Sequence, residues 1–141
     1  MSLLKSILTS HRLSMESGYK SETKPHPATD EAIAAAEAAL GLKFPQQYVE
    51  YLKTYGSVTF NGRELTGLNT NVGTDVVKVT QSFRDSSKLP AELFVVEPSF
   101  GDGPEIVSDQ HGKIFEWHWS GKPKLVYCKV DFAKFLHSVF N

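Results

Sequence analysis

Carboxylates and histidines follow one another closely between residues 102 and 118, and these are the side chains best suited to chemistry. Oxygen and imidazole groups of this kind hold divalent metal ions in many proteins. Their spacing matches neither the ordered ligands of a calcium loop nor the histidine pair, four residues apart, that binds zinc on a helix. We therefore expect no metal site. We interpret the segment as solvated and acidic, with Asp102, Glu105, Asp109, His111, Glu116 and His118 as its polar residues.

Nucleophilic catalysis has one candidate residue, Cys128, which is the only cysteine. It lies shortly before the last predicted helix, whose dipole would lower the pKa of the thiol if the sulfur reached the first turn. A single cysteine beside a tyrosine is more often a packing residue. No Gly-x-Ser-x-Gly motif occurs either. The sequence therefore predicts no catalytic residue and a protein that is not an enzyme.

Phosphate and nucleic-acid binding have only partial signals. The loop at residues 101–103 has two glycines, but no lysine follows it, no helix begins there, and Asp102 would repel an anion. Nucleic-acid binding would need a basic stripe interleaved with aromatic side chains. Three lysines, Lys122, Lys124 and Lys129, lie near Trp117, Trp119 and Tyr127, but neighbouring acids cancel their charge. We therefore expect no direct contact with nucleic acid. We also expect no cofactor.

Charge is distributed unevenly along a chain whose net charge is only −1. Residues 92–116 contain six acids and one base, Lys113, for a local net charge of −5. By the strand period of two, Glu105 and Asp109 share one face, and Glu116 and His118 share a face of the next strand. If the two faces coincide, they form an acidic surface bordered by Asp102 that suits a basic protein partner. The alternative is a set of scattered, solvent-facing acids.

Two helices joined at a fixed angle form the clearest structural pattern. Thr29 and the acids after it provide a cap where the first helix begins. Gly41 accepts the left-handed conformation that ends this helix, and Pro45 suits the start of the second. Gly56 closes the second helix, whose apolar face contains Tyr48, Leu52 and Tyr55.

Glu37 lies on the apolar face of the first predicted helix, with Ile33 and Leu40. A partly buried carboxylate is costly unless it accepts hydrogen bonds. The free N–H groups past Pro45, at the start of the second helix, are the nearest donors. We interpret Glu37, Gly41, Pro45 and Gly56 as structural residues, with Glu37 bracketing the two helices; the alternative for Glu37 is a ligand contact.

The rest of the chain predicts an α+β fold. Asn61-Gly62 indicates a two-residue hairpin turn, and apolar residues between Asp75 and Phe83 have helical spacing. Four short strands follow, at 92–97, 105–108, 113–119 and 125–127, and Asp131 caps a last helix. Strands between helices argue for an antiparallel β-meander, with the helices from both ends of the chain packed on one face.

Length and composition indicate one domain at 28–141, preceded by an arm or short helix and linker at 1–27. Pro25 and Pro27 keep that linker extended. The first residues lack the continuous apolar run of a signal peptide, and no window reaches the length of a membrane span. A single cysteine suits a reducing compartment. We expect a cytoplasmic protein with no membrane contact.

The order of these motifs resembles the SMI1/KNR4 family of the SUKH superfamily, from about Ala28 to the end of the chain. The matching segments are Glu37, Leu40-Gly41, Pro45, Tyr48, Tyr55-Gly56, Leu89-Pro90, Phe94-Val95-Val96, Gly101-Asp102-Gly103, residues 112–117 and residues 131–136. The resemblance implies the same α+β fold.

The resemblance also implies a function. Bacterial single-domain members are typically immunity proteins that bind and block a cognate polymorphic toxin domain, often a nuclease, encoded nearby. We therefore expect a toxin partner that contacts Asp102, Glu105, Asp109, Glu116 and His118. One alternative is a regulatory scaffold like the fungal members. Another is a small-ligand module that uses the face of Trp117 and Trp119. The sequence leaves the oligomeric state open.

Overall fold

The computed structural model describes residues 26–60, 62–68, 74–99, 103–119 and 121–140. These residues form an α+β fold, as predicted. The helices are α1 (Asp30–Leu40), α2 (Gln46–Tyr55), α3 (Val76–Ser87) and α4 (Phe132–Phe140). The strands are β1 (Thr59–Phe60), β2 (Arg63–Glu64), β3 (Phe94–Glu97), β4 (Glu105–Ser108), β5 (Lys113–His118) and β6 (Lys124–Asp131). The predicted arm at 1–27 lies outside the described residues, apart from His26 and Pro27.

The helix pair α1–α2 has the predicted caps. The Thr29 hydroxyl accepts a hydrogen bond from the Ala32 N–H at 3.1 Å. Gly41 ends α1 in the left-handed conformation with φ 68°. Pro45 is the residue that precedes α2, so the helix begins one residue later than predicted, at Gln46. Gly56 ends α2 with φ 76°.

Gly56 is also a point of close backbone approach. A Cβ atom there would collide with the carbonyl oxygen of His26, and a Cβ atom on Gly67 would collide with the carbonyl oxygen of Gly56. The His26 N–H donates to the Tyr55 carbonyl at 3.0 Å, and the Leu68 N–H donates to the Gly56 carbonyl at 2.8 Å. Three segments of backbone therefore meet at the end of α2, where side chains have no room.

Strands β3 to β6 form an antiparallel meander in the order β3-β4-β5-β6, as predicted. A separate hairpin pairs β1 with β2, with Phe60 opposite Arg63. Its turn is the predicted two-residue turn; Gly62 has φ +75°, and Asn61 lies outside the described residues. Arg63 then ties the hairpin to β3 through two hydrogen bonds to the Glu97 carboxylate, at 3.0 and 2.7 Å.

Helices cover both faces of the four-stranded sheet. Side chains of α1, α2 and α4 form the main core with one face, as predicted for the terminal helices; this core includes Tyr48, Phe94, Ile114 and Phe132. The opposite face carries a second apolar cluster of Val79, Leu89, Leu93, Val95, Val107 and Trp117, which α3 covers. This second cluster was not predicted from the sequence. Because both faces are buried at β3, its first three residues, Phe94, Val95 and Val96, are all apolar, and the alternation of a half-exposed strand is lost.

Buried polar groups connect the helices to the sheet. The Tyr48 hydroxyl lies 2.8 Å from the Thr66 hydroxyl, which donates to the Val95 carbonyl at 2.7 Å, and the Tyr51 hydroxyl donates to the Thr66 carbonyl at 2.7 Å. Burial raises the phenol pKa of both tyrosines. They remain neutral donors, so this network needs no counter-ion.

Candidate functional site

The predicted acidic surface does not form on one face of the sheet. In the β4–β5 pairing, Glu105 lies opposite Trp117, and Ile106 lies opposite Glu116. Neighbours across an antiparallel pair point to the same side, so Glu105 and Glu116 lie on opposite faces. The prediction of one shared acidic face is therefore wrong for these two residues, because the register offsets their strands by one position.

Glu105 is also buried, contrary to the expectation that it faces solvent. Only 2% of its surface is exposed, and its Oε2 atom has no hydrogen-bond partner. Burial raises the pKa of this carboxyl group, and backbone and Trp119 side-chain hydrogen bonds partly oppose that rise. A buried carboxylate oxygen without a donor is unfavourable, and such groups are rare in folded proteins.

Asp109 has a local structural role. Its Oδ1 atom accepts hydrogen bonds from the backbone N–H groups of His111 and Lys113, both at 2.9 Å. This bonding fixes the turn between β4 and β5. The predicted binding residue Asp102 lies outside the described residues.

Glu116 and His118 form a partly exposed pair on the face opposite to Glu105. The His118 Nε2 and Glu116 Oε1 atoms are 2.9 Å apart, and the two side chains are 41% and 39% exposed. Lys124 lies opposite His118 in the neighbouring strand. Glu116, the predicted strand acid that is partly exposed, therefore has a histidine as its hydrogen-bond partner and a lysine on the next strand nearby, rather than other acids.

An exposed aromatic face lies on β5 and β6, on the same side of the sheet as Glu105. Among the described residues, the large apolar side chains with high exposure are Trp119 at 44%, Leu125 at 40% and Tyr127 at 45%. Leu125 pairs with Trp117 and Tyr127 pairs with Phe115, and the Phe115 and Tyr127 rings are 5.3 Å apart. We call Phe115, Trp119, Leu125 and Tyr127 the aromatic face.

Only part of the aromatic face was predicted from the sequence. The sequence predicts that Phe115, Trp117 and Trp119 share one side of their strand. The pairing of β5 with both neighbours confirms this for Phe115 and Trp117, and Trp119 follows the end of the strand. Trp117 is buried in the second cluster, and its indole N–H donates to the Ser87 hydroxyl at 3.1 Å. Leu125 and Tyr127 were missed as surface residues, although their spacing of two in a short strand was the available signal.

Strand β6 borders the aromatic face and forms an edge of the sheet. Its neighbour among the described strands is β5 alone. The pairing shifts between Lys113 and Phe115, and Lys129 adopts a positive φ of 61°. This irregularity is a β-bulge, which bends the strand and interrupts its ladder. One end of β6 is therefore regular beside the aromatic face, and the other is distorted.

Three of the predicted structural residues, Glu37, Gly41 and Pro45, lie at the α1–α2 corner, whereas Gly56 ends α2. The Glu37 Oε2 atom accepts a hydrogen bond from the Phe44 N–H at 2.8 Å, and its Oε1 atom lies 3.8 Å from the Lys43 ammonium. The donor is the residue before Pro45, rather than a group in the first turn of α2 as predicted. A surface depression of about 310 Å³ lies beside this carboxylate, whose oxygens already have partners within the corner.

Cys128 has none of the features of an activated nucleophile. Burial raises its thiol pKa, and the negative charge of Glu116 raises it further. A raised pKa lowers the fraction of thiolate, and the thiolate is the reactive species.

In the part of the chain that the structure describes, no group of three metal-ligating side chains occurs, and none of its helices is long and apolar enough to cross a membrane.

Comparison with known proteins gives a family for this fold. No curated protein matches the chain. The family model SUKH_5, described as SMI1-KNR4 cell-wall, matches residues 7–141, so the match begins well before Ala28, where the motif resemblance starts. It covers nearly the whole chain, and this family is generally non-enzymatic. From this match over almost its full length, the chain belongs to the SMI1-KNR4 family.

Proposed function

We propose that this protein is a bacterial immunity protein that acts in the cytoplasm and neutralises a cognate toxin domain, a nuclease, by direct contact. Membership of the SMI1-KNR4 family supports a place in the immunity-protein superfamily. The observation that carries the choice of surface is the exposure of Trp119, Leu125 and Tyr127. The protein then inhibits the toxin by covering part of its surface, and it catalyses no reaction itself.

The composition of the aromatic face supports a protein partner. Tryptophan and tyrosine are enriched among the residues that contribute most to protein binding energy. Scattered apolar residues are common on surfaces, but contiguous exposed ones mark interaction sites. Leu125 and Tyr127 alternate along β6, and their pairing partners in β5 extend the same face. This continuity favours docking of a protein surface.

The predicted acidic residues suit a nuclease as the partner. A nuclease is basic where it holds phosphates. We place Glu116 and His118 at the margin of the contact, because they lie on the other side of β5, next to the open edge at β6. Asp109 holds its turn, and Asp102 retains the binding role predicted from the acidic segment. Glu105 contributes from beneath the aromatic face.

The experiment compares the two faces of β5 and β6 in one binding assay. The product of the neighbouring toxin gene, as a catalytically inactive variant, is titrated with wild-type protein, Trp119→Ser with Tyr127→Ser, and Glu116→Gln. The double variant should weaken binding by about a hundredfold, since two hot-spot residues each contribute more than 1 kcal/mol. Glu116→Gln should change it less than about tenfold. Lys134→Ser, at an exposed position of α4, is a control. Unchanged binding by the double variant would move the docking surface elsewhere.

A regulatory scaffold is the second candidate function. The description of the matching family names the cell wall, which favours a role of that kind. Both functions use protein contacts, so binding alone does not separate them. Survival of cells that express the neighbouring toxin gene does: an immunity protein protects them, whereas a scaffold leaves them sensitive.

A further inference from the structure

A buried acceptor without a donor lies beneath the aromatic face. Glu105 is almost fully buried, yet its Oε2 atom has no hydrogen-bond partner. The described residues contain four ion pairs, at Glu37, Asp30, Glu97 and Glu116, and none of them includes Glu105. An unpaired carboxylate in such a place favours the approach of a cationic donor.

The sheet pairing places this carboxylate next to exposed aromatic rings. Glu105, Trp117 and Leu125 form one row across β4, β5 and β6. Trp119 follows Trp117 by two residues and therefore points to the same side. The Trp119 side chain gives Glu105 a hydrogen bond, although nearly half of this tryptophan is exposed. Trp119 is thus an exposed cover over a buried anion.

Resting on the proposed function and deepening it, we propose that the aromatic face receives one arginine side chain of the partner protein. The guanidinium donates to the free Oε2 of Glu105, and the Trp119 indole turns outward to stack on it. Arginine fits because its planar, weakly hydrated cation pairs with a carboxylate and stacks on aromatic rings at the same time. A lysine ammonium is more strongly hydrated and lacks the planar group. Tyr127 and Leu125 then contact the aliphatic part of the side chain.

The first test uses a small probe and the full wild-type chain. N-acetyl-arginine amide is titrated while NMR follows the indole N–H signals of Trp117 and Trp119. N-acetyl-citrulline amide, which has nearly the same shape without the charge, is the matched control. We expect a saturable shift of the Trp119 signal with a Kd on the order of millimolar for arginine, and a shift at least about tenfold weaker for citrulline. Equal responses to both probes, or no response of Trp119, overturn the proposal.

The second test removes the anion without changing its shape. Glu105→Gln should weaken binding of the arginine probe by about tenfold or more, the usual loss for a charge-assisted hydrogen bond. Glu64→Gln removes an exposed carboxylate on β2, away from the proposed contact, and should leave probe binding unchanged. Equal losses in the two variants would indicate general charge attraction and overturn the site. If Glu105→Gln does not fold, Trp119→Ser decides. This variant has no Trp119 indole N–H, so binding of the arginine probe is followed through the backbone amide signals of Leu125 and Tyr127, and it should be weakened by about tenfold or more.

The same variants separate this inference from the proposed function. If wild-type protein binds the neighbouring toxin and Glu105→Gln binds it equally well, the toxin function stands and the arginine site is wrong. If the arginine probe binds in a Glu105-dependent way but the toxin does not bind, the site stands and its partner is another protein. Loss of both interactions in Glu105→Gln, with both retained in Glu64→Gln, supports the two proposals together.

Discussion

The carboxylate of Glu37 and the backbone N–H of Phe44 meet across the α1–α2 corner, 2.8 Å apart. This hydrogen bond links the last turns of α1 to the residue before Pro45. A second contact supports the corner from the sheet, because the Lys43 N–H donates to the Gln110 side chain at 3.0 Å. The angle between the two helices is therefore set by specific polar contacts as well as by apolar packing.

Replacing Glu37 by alanine should lower the free energy of unfolding by about 1–3 kcal/mol, because the Phe44 N–H loses its acceptor in a partly buried place. Urea unfolding measures this change. Glu37→Gln keeps an acceptor oxygen and should retain most of the stability, and Lys43→Ala removes only an exposed ion-pair partner. An unchanged urea midpoint for Glu37→Ala rules out the bracket role.

Replacing Gly62 by valine should destabilise the protein by roughly 1–2 kcal/mol, because a β-branched residue resists the left-handed conformation. A Cβ atom at this position meets nothing within 4 Å, so the loss reports backbone conformation and not a collision. Gly62→Asn, which tolerates a positive φ, should cost clearly less in the same thermal unfolding series. Equal losses for the two variants would contradict this explanation.

Reversing the charge should affect the stability of the protein differently at Glu105 and at Glu116. Glu105→Lys places a cation in a buried site and should destabilise the fold by about 3 kcal/mol or more. Glu116→Lys lies on a half-exposed surface and should change stability by less than about 1 kcal/mol. Chemical denaturation of the two variants at neutral pH measures the difference. Similar stabilities would mean that Glu105 faces solvent.

Glu105 should make the stability of the protein depend on pH. Burial raises its folded-state pKa above the ordinary value of 4.5. Below that value the carboxyl is protonated in both states and causes no loss. As the pH rises, the unfolded chain releases the proton first, so stability falls until the folded-state pKa is passed.

The measurement is the difference in unfolding free energy between wild type and Glu105→Gln across this pH range. The wild type should lose stability relative to the variant as the pH rises. A difference that is constant with pH, or that changes in the opposite direction, would show that the carboxyl is not held in a desolvated place.

Cys128 should react slowly with iodoacetamide in the folded protein, because burial and the charge of Glu116 raise the pKa of its thiol above 9.0. Mass spectrometry at mildly alkaline pH gives the rate, and the urea-unfolded chain provides the reference. Glu116→Gln should speed the reaction of the folded protein. A folded thiol that reacts faster than the unfolded one would revive Cys128 as a nucleophile.

Residues that cap or end helices explain why much of the fold was predictable from the sequence. Thr29, Gly41 and Pro45 act on the backbone within a few residues, and each lies at the predicted helix boundary to within one position. Asp131 likewise accepts a hydrogen bond from the Lys134 N–H at 2.9 Å, as expected for a helix cap. The last strand was predicted too short, because its bulge at Lys129 hides the continuation to Asp131.

The candidate site was less predictable because it depends on distant contacts. A strand period shows which residues share a face, but not which face another element covers. Packing of α3 on the second face buries Trp117, whereas Trp119, two residues further along the chain, remains exposed. The burial of Glu105 follows from the same arrangement, and nothing within the segment 105–108 signals it.

The bulge in β6 also affects how the free protein behaves at high concentration. An edge strand beside exposed apolar side chains can pair with the same strand of another molecule and begin aggregation. Lys129, in its left-handed conformation, breaks the flat ladder that such pairing needs. Lys124 adds a charge at the other end of the strand. These two features protect the exposed apolar side chains of β6 from uncontrolled self-association.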